Sequence, residues 1–98
     1  YKNVYGTYGI HPHETKDYKD LNDKDIIKKI NLNKKIIGIG ETGLDFYYDH
    51  SDRSTQKKIF IEHIKAAQTL DLPLIVHTRS AEEDTYQILK SEKKKQRL

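Results

Sequence analysis

No cysteine, methionine or tryptophan occurs among the 98 residues. Without cysteine there are no disulfides and no thiolate metal sites, so any metal must take nitrogen and oxygen ligands. The same absence fits a cytoplasmic protein. Long apolar runs are missing too. No stretch approaches the roughly 18–20 residues that a membrane span needs, and none has the apolar centre of a signal peptide. With no methionine the chain lacks its own initiator and opens at Tyr1 in what reads as mid-strand. The expectation is therefore a fragment or a processed product.

What is present is mostly charge. Hydrophobic residues make up 35% and charged residues 34%, which implies a thin core, rich in isoleucine, under a heavily charged surface. The length allows one small domain or part of a larger one. A net charge of +3 and a pI near 9.0 mildly favour polyanionic partners without identifying one.

The centre of the chain is Lys35-Ile36-Ile37-Gly38-Ile39-Gly40-Glu41-Thr42-Gly43-Leu44-Asp45. Its β-branched run predicts a buried strand over 36–40 that ends by delivering two carboxylates, Glu41 and Asp45. Before it, Val4–Ile10 reads as a strand ending at His11-Pro12-His13, where Pro12 marks a turn. Residues 14–21 read as polar loop. Asn22 caps a helix whose third position is Asp25, with Ile26, Ile27 and Ile30 as a narrow apolar stripe. After the aromatic loop at 46–50, Ser54 opens a helix to Leu70, with Phe60, Ile64 and Ala67 on its apolar side beside Ile61 and Leu70. Leu74-Ile75-Val76 is a third buried strand, ending at His77-Thr78-Arg79. Ser80-Ala81-Glu82-Glu83 is a capping-box pattern for a last helix with Tyr86 and Leu89 on one side. The chain then runs into Lys93–Arg97, which reads as a solvated helix end.

No tight-hairpin signal joins the strands, so they are expected to be parallel, with helical crossovers. The fold class is α/β. Three βα units are too few to close a barrel, so a slice of a larger α/β domain is expected. Parallel strands deliver their carboxyl ends to one face. Three polar clusters would meet there: His11 and His13, then Glu41 and Asp45, then His77 and Arg79. Imidazole and carboxylate form a ligand set for zinc, manganese or magnesium in hydrolases. Arg79 could clamp a phosphate or a carboxylate.

Blander readings stand beside these. A histidine at a strand end is often structural, Asp45 has a blander reading as a partner of its own loop backbone alone, and the Tyr47-Tyr48 pair reads as loop packing rather than a base-stacking platform. His63 reads as a flank of its helix's packing face, and neither it nor His50 has support as a ligand. Gly38-Ile39-Gly40-Glu41-Thr42-Gly43 matches a dinucleotide-binding fingerprint. The following residues do not start a helix, however, and Glu41 would face phosphates with the wrong charge, so that reading is rejected.

Four blocks carry a resemblance: Gly9-Ile10-His11-Pro12-His13; Gly38–Tyr48; Gln56 with Phe60; and Leu72-Pro73-Leu74-Ile75-Val76-His77-Thr78-Arg79. Together they resemble the TatD family, metal-dependent deoxyribonucleases of the amidohydrolase-like superfamily, across essentially the whole chain. The resemblance implies a (β/α)8 TIM barrel of which residues 1–98 form about strands three to five, as a fragment of a single domain. It implies hydrolysis of DNA phosphodiester bonds with water activated by one or two divalent ions, Mg, Mn or Zn. Glu41 falls on the metal-bridging glutamate and His77 on a histidine ligand. His11 falls on a histidine at the active-site mouth, with a catalytic or substrate-binding role. Arg79 is a substrate-contact candidate from the residues alone, not from the resemblance. DNA is the implied partner, with no membrane and no obligate protein partner.

The family's first-strand His-x-His pair and its later histidine and aspartate have no counterpart here. The 98 residues alone are therefore expected neither to form a stable barrel nor to cleave DNA. Alternatives are a non-catalytic truncated remnant, a related hydrolase acting on another substrate, and a small basic nucleic-acid-binding module. Dispersed lysines without a basic stripe argue against the last.

Overall fold

The isoleucine run at 36–39 becomes the start of a central strand flanked by two others. A computed structural model describes residues 6–96, with side chains through Lys93. The elements are β1 (Gly6–Tyr8), a 3-10 helix (Pro12–Tyr18), α1 (Asp23–Asn31), β2 (Ile36–Asp45), α2 (Arg53–Leu70), β3 (Leu74–Arg79) and α3 (Glu82–Gln96). The strands form one open sheet in the order β1-β2-β3, and both pairings are parallel. This is the expected α/β pattern of three consecutive parallel βα units. No helix among the described residues is long and apolar enough to cross a membrane.

The core lies between the sheet and the helices in two clusters. One joins Ile26 and Ile30 of α1 to Ile39 of β2 and to Ala66 and Ala67 of α2. The other joins Leu44 of β2 to Phe60 and Ile64 of α2 and to Ala81. Leu74 of β3 packs against both. The opposite sheet face is open: Ile37 is 52% exposed and Ile75 41%. Each alternates with a neighbour that packs on the helices, as the two-residue period of a strand requires.

A strict two-residue period would put Ile39 and Glu41 on the same face. They are not, because the β2–β3 register shifts between Ile39 and Thr42. Ile39 and Leu44 both face the helices, while Glu41 is exposed. The irregularity thus buries an apolar side chain at 39 and still turns a carboxylate outward two residues later.

Local chemistry explains the helix ends. Asn22 caps α1 as expected, its side chain accepting from the Asp25 amide at 2.9 Å, and the structure adds the return bond, Asp25 accepting from the Asn22 amide at 3.2 Å. The cap of α2 is Asp52, which accepts from the Ser54 and Thr55 amides, so α2 opens at Arg53 rather than at Ser54. In α3 the Ala81 carbonyl takes the first intrahelical bond, from the Thr85 amide, and Ser80 sits at φ +56°. The cap position is thus Ala81, one residue later than the Ser80 pattern predicts.

Four further expectations need correction. Residues 12–18 are a 3-10 helix, not loop: Pro12 is pre-set for a first turn, and the Ser51 hydroxyl clamps the segment by accepting from the Lys16 amide and donating to the His13 carbonyl. Strand β2 runs on to Asp45 because Thr42–Asp45 pair with Val76–Arg79. On α3, Leu89 packs inward beside Ile88 while Tyr86 is 58% exposed. On α2, Ile59 rather than Ile61 is fully buried. Val4 and Tyr5 of the first predicted strand, and the side chains of the basic run beyond Lys93, lie outside the described residues.

Candidate metal centre at the strand ends

Two backbone approaches bring the strand ends together. A Cβ on Gly9 would lie 2.6 Å from the Gly40 Cα, so only glycine lets the segment after β1 close on β2. Gly43 has φ +142°, and a Cβ there would lie 1.9 Å from the His77 carbonyl oxygen. Because Gly43 also pairs with His77 in the sheet, that contact sets His77 beside the β2 terminus. The segment carrying His11 is held from behind: the Ile10 amide donates to His63 Nε2 at 2.9 Å.

The result is the predicted convergence. Ligand atoms of His11, Glu41 and His77 all lie within 4.8 Å of one another, although 36 positions separate Glu41 from His77. His11 Nε2 is 3.4 Å from Glu41 Oε1, and the His11 and His77 rings lie 4.7 Å apart. Glu41 is exposed, and the two histidines are half-buried.

Beneath them lies a residue that the sequence left ambiguous. Asp45 is buried, and each of its carboxylate oxygens takes two bonds. Oδ1 accepts the Tyr47 and Tyr48 amides at 3.1 and 3.0 Å; Oδ2 accepts His13 Nε2 at 2.8 Å and His77 Nε2 at 3.1 Å. The loop-backbone role is therefore present, with two ring contacts added to it. Gln56 fixes the Asp45 backbone: its Oε1 accepts the Asp45 amide at 2.7 Å, and its Nε2 donates to the carbonyls of Asp45 and Ser51.

Burial by itself raises the Asp45 pKa, but the Tyr48 amide and the His13 and His77 rings outweigh it and hold the carboxyl well below the usual range. An ionised carboxylate only accepts, so His13 and His77 both donate from Nε2. His11 differs. Its Nδ1 accepts the His13 amide at 3.2 Å, which leaves the proton of the neutral ring on Nε2, facing Glu41. Burial, then the His13 and His77 rings, lower the His11 pKa against the opposing pull of Glu41 and Asp45.

His63 is fully buried rather than a flank of its helix. Its Nδ1 donates to the Ile59 carbonyl at 2.8 Å, and its Nε2 accepts from Ile10. Burial lowers its pKa, so it works as a neutral latch between α2 and the His11 segment. The position has a signal in the sequence: 56, 59, 60, 63, 64 and 67 form one helical stripe that includes two polar residues.

Arg79 contacts the aromatic loop after β2. It is exposed at the end of β3, with its guanidinium 4.4 Å above the Tyr47 ring. His50, which the sequence did not support, stacks on Tyr48 with ring centroids 5.5 Å apart. Strand β2 also carries the rejected dinucleotide pattern straight through Gly43 without opening a helix.

The donor set suits a divalent cation. Glu41 offers an exposed carboxylate, and His77 offers an imidazole whose ring is oriented by Asp45, an arrangement common behind metal-bound histidines.

The sequence model described as TatD related DNase matches residues 1–98. An uncharacterized metal-dependent hydrolase of Buchnera aphidicola subsp. Baizongia pistaciae is 44% identical over 95 residues, which are 97% of this chain and 35% of that protein. The protein named 3'-5' ssDNA/RNA exonuclease TatD of Escherichia coli K12 is 30% identical over 83 residues, 85% of this chain and 32% of that one. The crystal structure of YJJV, a TatD homolog from Escherichia coli K12, superposes with a TM-score of 0.80 at 27% identity, covering 94% of this chain and 36% of that one. The chain thus spans about a third of the length of the curated relatives it matches. With its motifs, its open parallel sheet and its strand-end cluster in agreement, the chain belongs to the family of TatD-related DNases.

Proposed function

We propose that these residues belong to a metal-dependent nuclease that hydrolyses the phosphodiester bonds of DNA. The observation that carries this reading is the approach of His11, Glu41 and His77, from three separate strand ends, to within 4.8 Å of one another. Glu41 and His77 would hold the metal, whether Mg, Mn or Zn, singly or as a pair. Such an ion supplies charge stabilisation at the phosphoryl oxygens and an activated water. His11, with its proton on Nε2 and its pKa lowered, donates a hydrogen bond to a phosphoryl oxygen instead of ligating. Asp45 keeps His77 oriented. The likeness to the Escherichia coli protein named 3'-5' ssDNA/RNA exonuclease TatD supports the substrate class.

We further propose that the 98 residues are one sector of a single barrel domain. The open sheet face bearing Ile37 and Ile75 supports this, since a closed barrel buries that face. A cytoplasmic setting fits the cysteine-free composition.

The test uses the protein as it occurs in the cell, stripped with a chelator and reloaded with Mg, Mn or Zn. Cleavage of single-stranded DNA should vanish on stripping and return on reloading. Glu41→Gln should lower cleavage by at least about 100-fold and weaken metal binding measured by calorimetry. Cleavage that survives both the chelator and Glu41→Gln would overturn the reading.

A further inference from the structure

Beside the metal cluster, the loop after β2 displays two large rings to solvent: Tyr47 is 61% exposed and Tyr48 50%. Loop packing therefore does not account for them. Their rings meet edge to face at 4.8 Å, and Tyr48 is backed by His50, whose stacked ring is nearly parallel to it at 9°. The Arg79 guanidinium lies 4.4 Å over Tyr47 and 5.3 Å from the Tyr48 ring. Among the described residues no carboxylate pairs with Arg79 within 4 Å. An exposed aromatic face and an unpaired guanidinium thus sit side by side.

They are also tied to the centre. The Asp45 carboxylate takes the amides of Tyr47 and Tyr48 on one oxygen and His77 on the other. Moving the aromatic loop therefore means moving the acceptor that orients His77. A ring surface and a cation fixed beside the proposed phosphodiester-cleaving centre match the two halves of a nucleotide, its base and its phosphate.

We infer that Tyr47 and Arg79 form a seat for one unpaired nucleotide of the substrate strand, Tyr47 stacking the base and Arg79 meeting a phosphate. Arg79 covers one face of Tyr47, and the base takes the other, while the guanidinium keeps N–H groups for phosphate oxygens. A base within a duplex is stacked on both sides, so the seat selects single strands. Stacking reads no base edge, so the seat tolerates any base. This inference rests on the nuclease reading above and adds to it the residues that hold the substrate strand.

The test is fluorescence anisotropy of a labelled single-stranded oligodeoxynucleotide in chelator, where no cleavage occurs, with the protein as found in the cell. Tyr47→Ala should weaken binding about 5- to 100-fold, while Tyr47→Phe keeps the ring and stays near wild type. On a strand with an abasic residue at the seated position, Tyr47→Ala should cause no further loss. Arg79→Gln should reduce the slope of log affinity against log salt by about one, and Tyr47→Ala should leave that slope unchanged. Matched RNA should show the same Tyr47 effect, because the seat makes no use of the 2'-hydroxyl. Wild-type affinity in Tyr47→Ala, or an equal loss on abasic strands, overturns the seat. If the wild-type protein still cleaves DNA in that case, the nuclease reading stands without it. A wild-type protein that neither binds the strand nor cleaves it with divalent ions overturns both.

Discussion

Replacing Asp45 with asparagine keeps the shape of the side chain and removes its ability to accept at both ends. The native carboxylate accepts four bonds, two from loop amides and two from imidazoles. Asparagine has one carbonyl oxygen and one amide group. If the oxygen faces the Tyr47 and Tyr48 amides, the NH2 meets the His13 and His77 donors. If it is flipped, the NH2 meets the two backbone amides. With His13 and His77 in their native tautomers, either orientation forfeits two of the four bonds. Hydrogen bonds to a charged group are worth about 1.5–3 kcal/mol each, so the gross loss is about 3–6 kcal/mol. Relief from burying an ion offsets part of it, leaving a net loss of about 2–4 kcal/mol. Loss of the outer partner of a metal-bound histidine lowers metal affinity about 10- to 100-fold. Urea unfolding and calorimetric metal titration of wild-type and Asp45→Asn protein, as it occurs in the cell, measure the two quantities. Wild-type stability together with wild-type metal affinity would refute the reasoning, because Asp45 would then be dispensable to both the loop and His77.

His63 should make stability pH-dependent. Its pKa is lowered in the folded state, so below about pH 6.5 the unfolded chain binds more protons and stability falls as pH drops. The slope from this group is at most about 1.4 kcal/mol per pH unit, and the contribution is fully present above about pH 6.5. His63→Leu should flatten that limb in unfolding experiments between pH 5 and 7, while costing about 1–3 kcal/mol at neutral pH for the unpaired Ile10 amide. A limb unchanged by the substitution would mean that some other group causes it. Gly43→Ala should be still more disruptive, since its Cβ would lie 1.9 Å from the His77 carbonyl at φ +142°. A loss of about 3–5 kcal/mol in chemical unfolding is expected, and a loss below about 1 kcal/mol would show that β2 and β3 part easily there.

Much of the site was legible because strand ends are local features. The isoleucine run with its terminal carboxylates, Pro12 between two histidines, and Leu74–Val76 running into His77 each show in a few neighbouring residues. Parallel topology then follows from the absence of hairpin turns, and convergence follows from parallel topology. The less legible parts depend on distant partners. The role of Asp45 required His13 and His77, each 32 positions away, and that of His63 required Ile10, 53 positions away. The 3-10 helix at 12–18 was hidden because its clamp, Ser51, belongs to a later loop.

By itself, then, the sequence determined the order of elements, the Asn22 cap, the family, and which side chains would arrive at the sheet's carboxyl edge. Periodicity, capping chemistry and turn residues are properties of contiguous chain, so they can be read without coordinates. Only the tertiary structure decided which face Glu41 takes, which proton sits on which imidazole nitrogen, and that Tyr47 and Tyr48 stay exposed beneath Arg79. Each of those depends on hydrogen-bond partners and close backbone contacts between strands far apart in sequence, and a linear pattern of residue types carries no record of them.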